Sequence, residues 1–126
     1  MQDYQPRVLI VDDEIDIARM FEMFFQRAGF ATKTVHAARA AIALAEAEEF
    51  DIVFSDIGMP GMNGYELAAI LRRLPNYRHT PMYAVTGYSM YDDRERALRA
   101  GFNDHLVKPV SAQTLNNLIA RWKESL

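Results

Sequence analysis

The chain has 126 residues, enough for one domain around one core, with half of them hydrophobic and a quarter charged. A formal net charge of -3 gives no basic footprint for nucleic acid, and no apolar run reaches the length of a membrane span. Cysteine is absent, which removes disulfides, thiolate metal sites and cysteine nucleophiles together and is compatible with a reducing, cytoplasmic setting.

Residues 1–5 are polar and read as an unpaired leader, without the pattern of a signal peptide. Residues 8–11 form an apolar run that ends on three acids, Asp12, Asp13 and Glu14. Ile17, Met20, Phe21, Phe24, Phe25 and Ala28 then share one helical face, and Gly29 stops that helix. A second run covers residues 31–35. Ala38, Ala41, Ile42 and Ala45 follow as a small-residue stripe, which lets its helix pack close. The third run, residues 52–54, leads into Asp56. Leu67, Ile70, Leu71 and Leu74 make another helical face, ended by Pro75. Residues 82–85 lead into Thr86, and a weaker stripe through Ala97 and Leu98 stops at Gly101. Residues 105–107 lead into Lys108, and a final helix carries Leu115, Leu118, Ile119 and Trp122 behind a Ser111 cap. Asp92 to Arg96 reads as a solvated helix face, the methionines as core filler and Trp122 as a packing anchor. No repeat or linker interrupts the pattern, so one domain is expected over residues 1–126, its core over about 7–124.

Apolar runs with little alternation fit strands covered on both faces. Strand–helix alternation repeated five times predicts an α/β fold, a parallel sheet with helices on both sides. Ligands of such sheets bind beyond the carboxyl ends of the strands. Asp12, Asp13, Asp56, Thr86 and Lys108 all stand at such ends, so the fold would gather them on one edge. Like charges repel unless something positive sits among them. Three carboxylates without a nearby His or Cys suit a hard cation, Mg2+ or Mn2+, rather than zinc. With the Lys108 ammonium and the Thr86 hydroxyl they make what a transferring phosphoryl group needs, and a carboxylate can itself be the nucleophile. Taken singly each residue has a blander reading: Asp13 a helix cap, Lys108 a surface lysine, Thr86 an ordinary strand threonine. Glu14 is read as favouring the helix start through the macrodipole.

These motifs, "VDDE", "SDIGMPGMNG", "AVTGYS" and "LVKPV", in this order and each at a strand end, resemble the receiver domain of two-component response regulators. The resemblance covers the chain from about Val8 onward and implies a flavodoxin-like (βα)5 sheet of order 2-1-3-4-5. It implies that Asp56 accepts a phosphoryl group from a partner's phosphohistidine, on a sensor histidine kinase or a histidine phosphotransfer domain. Asp13 would bind Mg2+ directly, Asp12 largely through water, and the Gly58 backbone carbonyl would complete the site. Lys108 would contact the phosphoryl group and Thr86 would move to hydrogen-bond it. Pro109 would follow a cis peptide, and Pro60, Gly61 and Gly64 would shape the loop after the acceptor.

Departures from the common pattern add expectations. His105 stands where the family usually has Tyr or Phe, an imidazole in the place of an aromatic switch. Gly87 leaves room for the phosphoryl group, and Gly58 has no side chain to steer an attacking water, so Tyr88 at the mouth is expected to set the phosphoryl lifetime. Asn63 replaces a commoner Asp as a capping variant, and residues 85–110 particularly resemble receivers fused to hybrid histidine kinases. The isolated domain is expected to be no enzyme beyond self-catalysed transfer and autodephosphorylation. No output domain is expected from the residues after the last helix, so the chain would act by docking to a downstream protein or be cut from a longer one. A haloacid-dehalogenase phosphatase would want an Asp at the Gly58 position, and an FMN carrier would find "DDE" repelling its phosphate. A pseudo-receiver that only binds partners would not need the full acidic set.

Overall fold

β-Branched and aromatic residues dominate the short runs, and each of them forms a strand in the computed structural model, which describes residues 4–87 and 93–126. The strands are β1 (Arg7–Val11), β2 (Ala31–Val35), β3 (Ile52–Asp56), β4 (Met82–Thr86) and β5 (Asp104–Val107). Between and after them run α1 (Ile15–Arg27), α2 (Ala38–Ala47), α3 (Gly64–Leu71), α4 (Asp93–Ala100) and α5 (Ala112–Glu124). All neighbours pair in parallel, in the order β2-β1-β3-β4-β5. This is the flavodoxin-like sheet that the resemblance implied, in a single domain.

Side chains alternate across each strand, so the sheet divides the core into two layers. Val8, Ile10, Ile52 and Phe54 pack with Phe21 and Phe25 of α1 and with Leu115, Leu118, Ile119 and Trp122 of α5. Leu9, Val11 and Val53 point the other way, onto Ala38, Ala41 and Ala45 of α2, Leu67, Ala68 and Leu71 of α3, and Ala97 of α4. Phe54 meets Phe21 edge-on at 4.8 Å and Phe25 at 5.4 Å between ring centroids. Burying each such aromatic contributes about 1.5–3 kcal/mol. Trp122 is buried against Phe30, as an anchor should be.

The register sets the carboxyl edge. Val11 lies beside Val35 and Ser55, Asp56 beside Val85, and Thr86 beside Val107, so the strands end nearly level. The helix signals hold at Gly29, which turns with φ +97° after α1, and at Ser111, whose hydroxyl accepts from Thr114 N–H. Asn63 caps α3 through a capping box with Glu66. The Lys108–Pro109 bond is cis.

Several expectations need correction. α3 ends at Leu71 rather than at Pro75, because Pro75 opens a separate 3-10 turn, Pro75–Tyr77, that buries the Tyr77 ring. Arg72 closes the junction, its guanidinium donating to the carbonyls of Tyr77 and Thr80 at 2.7 Å and of Gly101 at 2.9 Å. Met82 and Met59 are core, but Met20 and Met23 of α1 are exposed, so the stripe through Met20 is broader than the buried face, which includes Ala18. Asp93 is buried instead of solvated; Asp92 lies outside the described residues.

Candidate functional site

β1 and β3 are adjacent central strands, and both run straight into acids. Asp12 and Asp56 are therefore buried, 1% and 6% exposed, while Asp13 is half-buried beside them. One carboxylate oxygen from each of Asp12, Asp13 and Asp56 lies within 4.8 Å of the other two. The turn that holds Asp12 is fixed on three sides. Its N–H donates to Val35 O at 3.1 Å, its Oδ1 accepts from Glu14 N–H at 2.9 Å, and its carbonyl lies 3.0 Å from His36 Nδ1 as acceptor. Asp12 Oδ2 is left buried without a hydrogen bond. Asp56 Oδ1 accepts from Ile57 N–H at 2.9 Å.

Lys108 answers the question of the positive charge. Its N–H donates to Thr86 O at 2.8 Å, which anchors the loop after β5 to the end of β4. Its Nζ then reaches Asp56 Oδ1 at 3.3 Å, Asp12 Oδ2 at 3.4 Å and Glu14 Oε1 at 3.5 Å. Burial, then the neighbouring Asp12 charge, pushes the Asp56 carboxyl up to about 6, against a smaller pull down from Lys108. Burial likewise raises Asp12, opposed by the Glu14 N–H and Lys108. Burial works against the charged form of Lys108, but Asp12 and Asp56 outweigh it and the ammonium is held above its ordinary range.

The cleft above these groups has a volume of about 370 Å³ and is lined by Glu14, Asp56, Ile57, Gly58, Thr86, Gly87 and Lys108. A Cβ added at Gly58 or Gly87 would meet nothing within 4 Å, so both glycines leave the cleft open. At Gly64 it would come 2.4 Å from Asp56 O, so a glycine there lets α3 start against the acceptor strand. Asp12, Asp13, Asp56, Gly58, Thr86, Gly87 and Lys108 are thus gathered as expected. His105 stands apart from the cleft, opposite Ala84 of β4, with a buried Nδ1 that has no hydrogen bond. Pro109 lines an apolar groove with Ile17, Met20, Phe21, Val110 and Lys108, which the groove shares with the cleft. Tyr88 lies outside the described residues. Two residues at the site went unselected in the sequence: Glu14, read only as a helix-start acid, and His36. The strand-end rule that selected the others also points to His36, directly after β2.

Fold and site together define a CheY-like α/β domain with an acidic pocket fitted to a hard cation. The chain belongs to the response regulator receiver domain family, whose model matches residues 8–120, and is a receiver domain of two-component systems. It is 39% identical over 83 residues to the signal transduction histidine-protein kinase BarA of Shigella flexneri, covering 66% of this chain and 9% of that one. The chemotaxis response regulator CheY4 of Vibrio cholerae superposes with a TM-score of 0.88 at 32% identity, over 94% of this chain and 99% of that one. The receiver domain of sensor histidine kinase PA1611 from Pseudomonas aeruginosa PAO1 superposes with a TM-score of 0.86 at 28% identity, over 94% and 98%. That structure has a magnesium ion coordinated in its active site cleft. The chain therefore spans nearly all of the receiver structures but a small part of the kinase. No helix among the described residues is long and apolar enough to cross a membrane.

Proposed function

We propose that this receiver takes a phosphoryl group onto Asp56 from the phosphohistidine of a sensor histidine kinase or histidine phosphotransfer domain, and then presents an altered surface to a downstream protein. The observation that carries the reading is the ammonium of Lys108 held 3.3 Å from Asp56 Oδ1 and 3.4 Å from Asp12 Oδ2 at the mouth of an open cleft. An oxygen of Asp56 forms the new bond to phosphorus as the bond from phosphorus to the imidazole nitrogen breaks, and that electron pair leaves on the partner. Lys108 takes up the charge on the phosphoryl oxygens, and the Thr86 hydroxyl donates to one of them.

The residues fit a divalent cation. All donors are oxygens, and the buried Asp12 Oδ2 has an ion-pair contact but no hydrogen bond. Asp13 would hold Mg2+, or Mn2+, directly, Asp12 largely through water, and Asp56 and the Gly58 carbonyl would complete the set. When bound, the ion supplies charge neutralisation at the phosphoryl oxygens. An exposed apolar groove beside Lys108, carrying Met20 at 66% exposed, supports docking of a partner protein next to the acceptor. His105 would act as the switch residue with Thr86. In this reading the domain fills residues 1–126, works in the cytoplasm, contacts no nucleic acid directly, and catalyses only its own phosphorylation and dephosphorylation.

The test is mass measurement of the intact protein after treatment with acetyl phosphate and Mg2+. One added phosphoryl group is expected on the wild type and none on Asp56→Asn. An unchanged mass in the wild type, or the same gain in Asp56→Asn, sinks the proposal.

A further inference from the structure

Glu14 is the N-cap of α1, yet its side chain does not hydrogen-bond to the helix that it opens. Its carboxylate instead turns to the cleft and stands 3.5 Å from Lys108 Nζ, with the Glu14 side chain 61% exposed. An ion pair that open to water contributes little to stability. What it does occupy is the ammonium. Lys108 carries three N–H donors and faces three carboxylates, at 3.3, 3.4 and 3.5 Å. Asp12 and Asp56 are buried and fixed, so the exposed Glu14 is the partner that can withdraw.

We infer that Glu14 is a specificity-determining residue of the cleft: it occupies Lys108 in place of the phosphoryl oxygens and repels small free phosphate anions that compete for it. The inference rests on the phosphoacceptor reading of Asp56. A small dianionic donor brings no contact beyond its own few atoms and meets this carboxylate on the way to Lys108. A phosphohistidine carried on a protein surface has the whole interface to offset the same repulsion. Glu14 thus favours a protein donor over a metabolic one.

The experiment compares wild type, Glu14→Gln and Glu14→Asp at saturating Mg2+, reading the rate of mass gain with acetyl phosphate. In each turnover an Asp56 oxygen bonds to phosphorus while the phosphorus–acetate bond breaks and acetate leaves with the electron pair. Removing one charge at contact range in water is expected to make Glu14→Gln about fivefold faster at low ionic strength. The gain should shrink toward unity near 1 M salt, where screening acts within about 3 Å. Glu14→Asp keeps the charge and should stay near wild type. A Glu14→Gln rate equal to or below wild type at low salt, or a gain indifferent to salt, overturns the inference.

A second readout needs no transfer. Inorganic phosphate titrated in the presence of Mg2+ should move the amide resonances of Gly87 and Lys108 at several-fold lower concentration in Glu14→Gln than in wild type. Superimposed titration curves overturn the inference even if Asp56 takes no phosphoryl group, whereas a failed mass gain with a shifted curve overturns the phosphoacceptor reading alone.

Discussion

At the scale of single residues, Asp56 is an acid whose burial works against its own charge. Its carboxyl lies at about 6, pushed up by burial and then by Asp12. Between about pH 4 and pH 6 the native protein therefore binds more protons than the unfolded chain, so stability falls as pH rises through that window. Asp56→Asn is expected to stabilise the metal-free protein at pH 7 by on the order of 2 kcal/mol, with the gain gone near pH 4. Urea unfolding at the two pH values checks this, and a destabilised variant at pH 7 contradicts it. His36 works through the backbone, holding the Asp12 carbonyl at 3.0 Å. Removing it as His36→Ala should weaken Mg2+ binding by about tenfold, with part restored in His36→Asn, as measured by calorimetry. Asp12, Asp13, Asp56, Thr86 and Lys108 were legible because each follows an apolar run. Glu14 was visible too, but its orientation toward Lys108 depends on a contact 94 positions away in sequence.

At the scale of elements, α3 is placed by what it lacks. Gly64 begins it with backbone atoms of Asp56 and Ile57 where a Cβ would go. Gly64→Ala should cost about 1–3 kcal/mol or more, and it should also displace the acceptor strand. A thermal scan reads the first effect and a slower acetyl phosphate reaction the second; an unperturbed variant contradicts the close approach. The apolar spacing of this helix misled at its other end. Leu74 continues the stripe of Leu67 and Leu71, but the chain leaves the helix after Leu71 and turns at Pro75 to bury Tyr77. Arg72 then satisfies carbonyls from three segments. Periodicity measures which residues want burial, and it is blind to a guanidinium that ties the end of a helix to carbonyls of later segments. Asp93 failed for a related reason: it is buried while Arg94, Glu95 and Arg96 after it are exposed, and composition alone cannot separate them.

At the scale of the molecule, a cation held by Asp12, Asp13 and Asp56 would tie β1 to β3 and should stabilise the fold as its occupancy rises. The unfolding temperature is expected to climb with Mg2+ concentration at pH 7.5, and the climb should fade as pH drops through about 6, where protons compete for Asp56. A Mg2+-independent unfolding temperature at pH 7.5 counts against the site. The topology as a whole followed from the alternation of runs and stripes, while strand order came through the family resemblance, since periodicity does not rank strands. The strand order carries one more consequence, in time rather than in space. β1 and β3 lie inside the sheet with β3 buried along its whole length, whereas β5 is a four-residue edge. Backbone amides on the inner strands should exchange with solvent only when the whole molecule opens, and those of β5 through smaller, more frequent openings. Hydrogen exchange is therefore expected to be slowest at Leu9, Ile10 and Val53 and faster at Leu106. The carboxylates then ride on the part of the protein that stays shut longest, and the lysine on a part that breathes, so the two walls of one cleft keep different clocks.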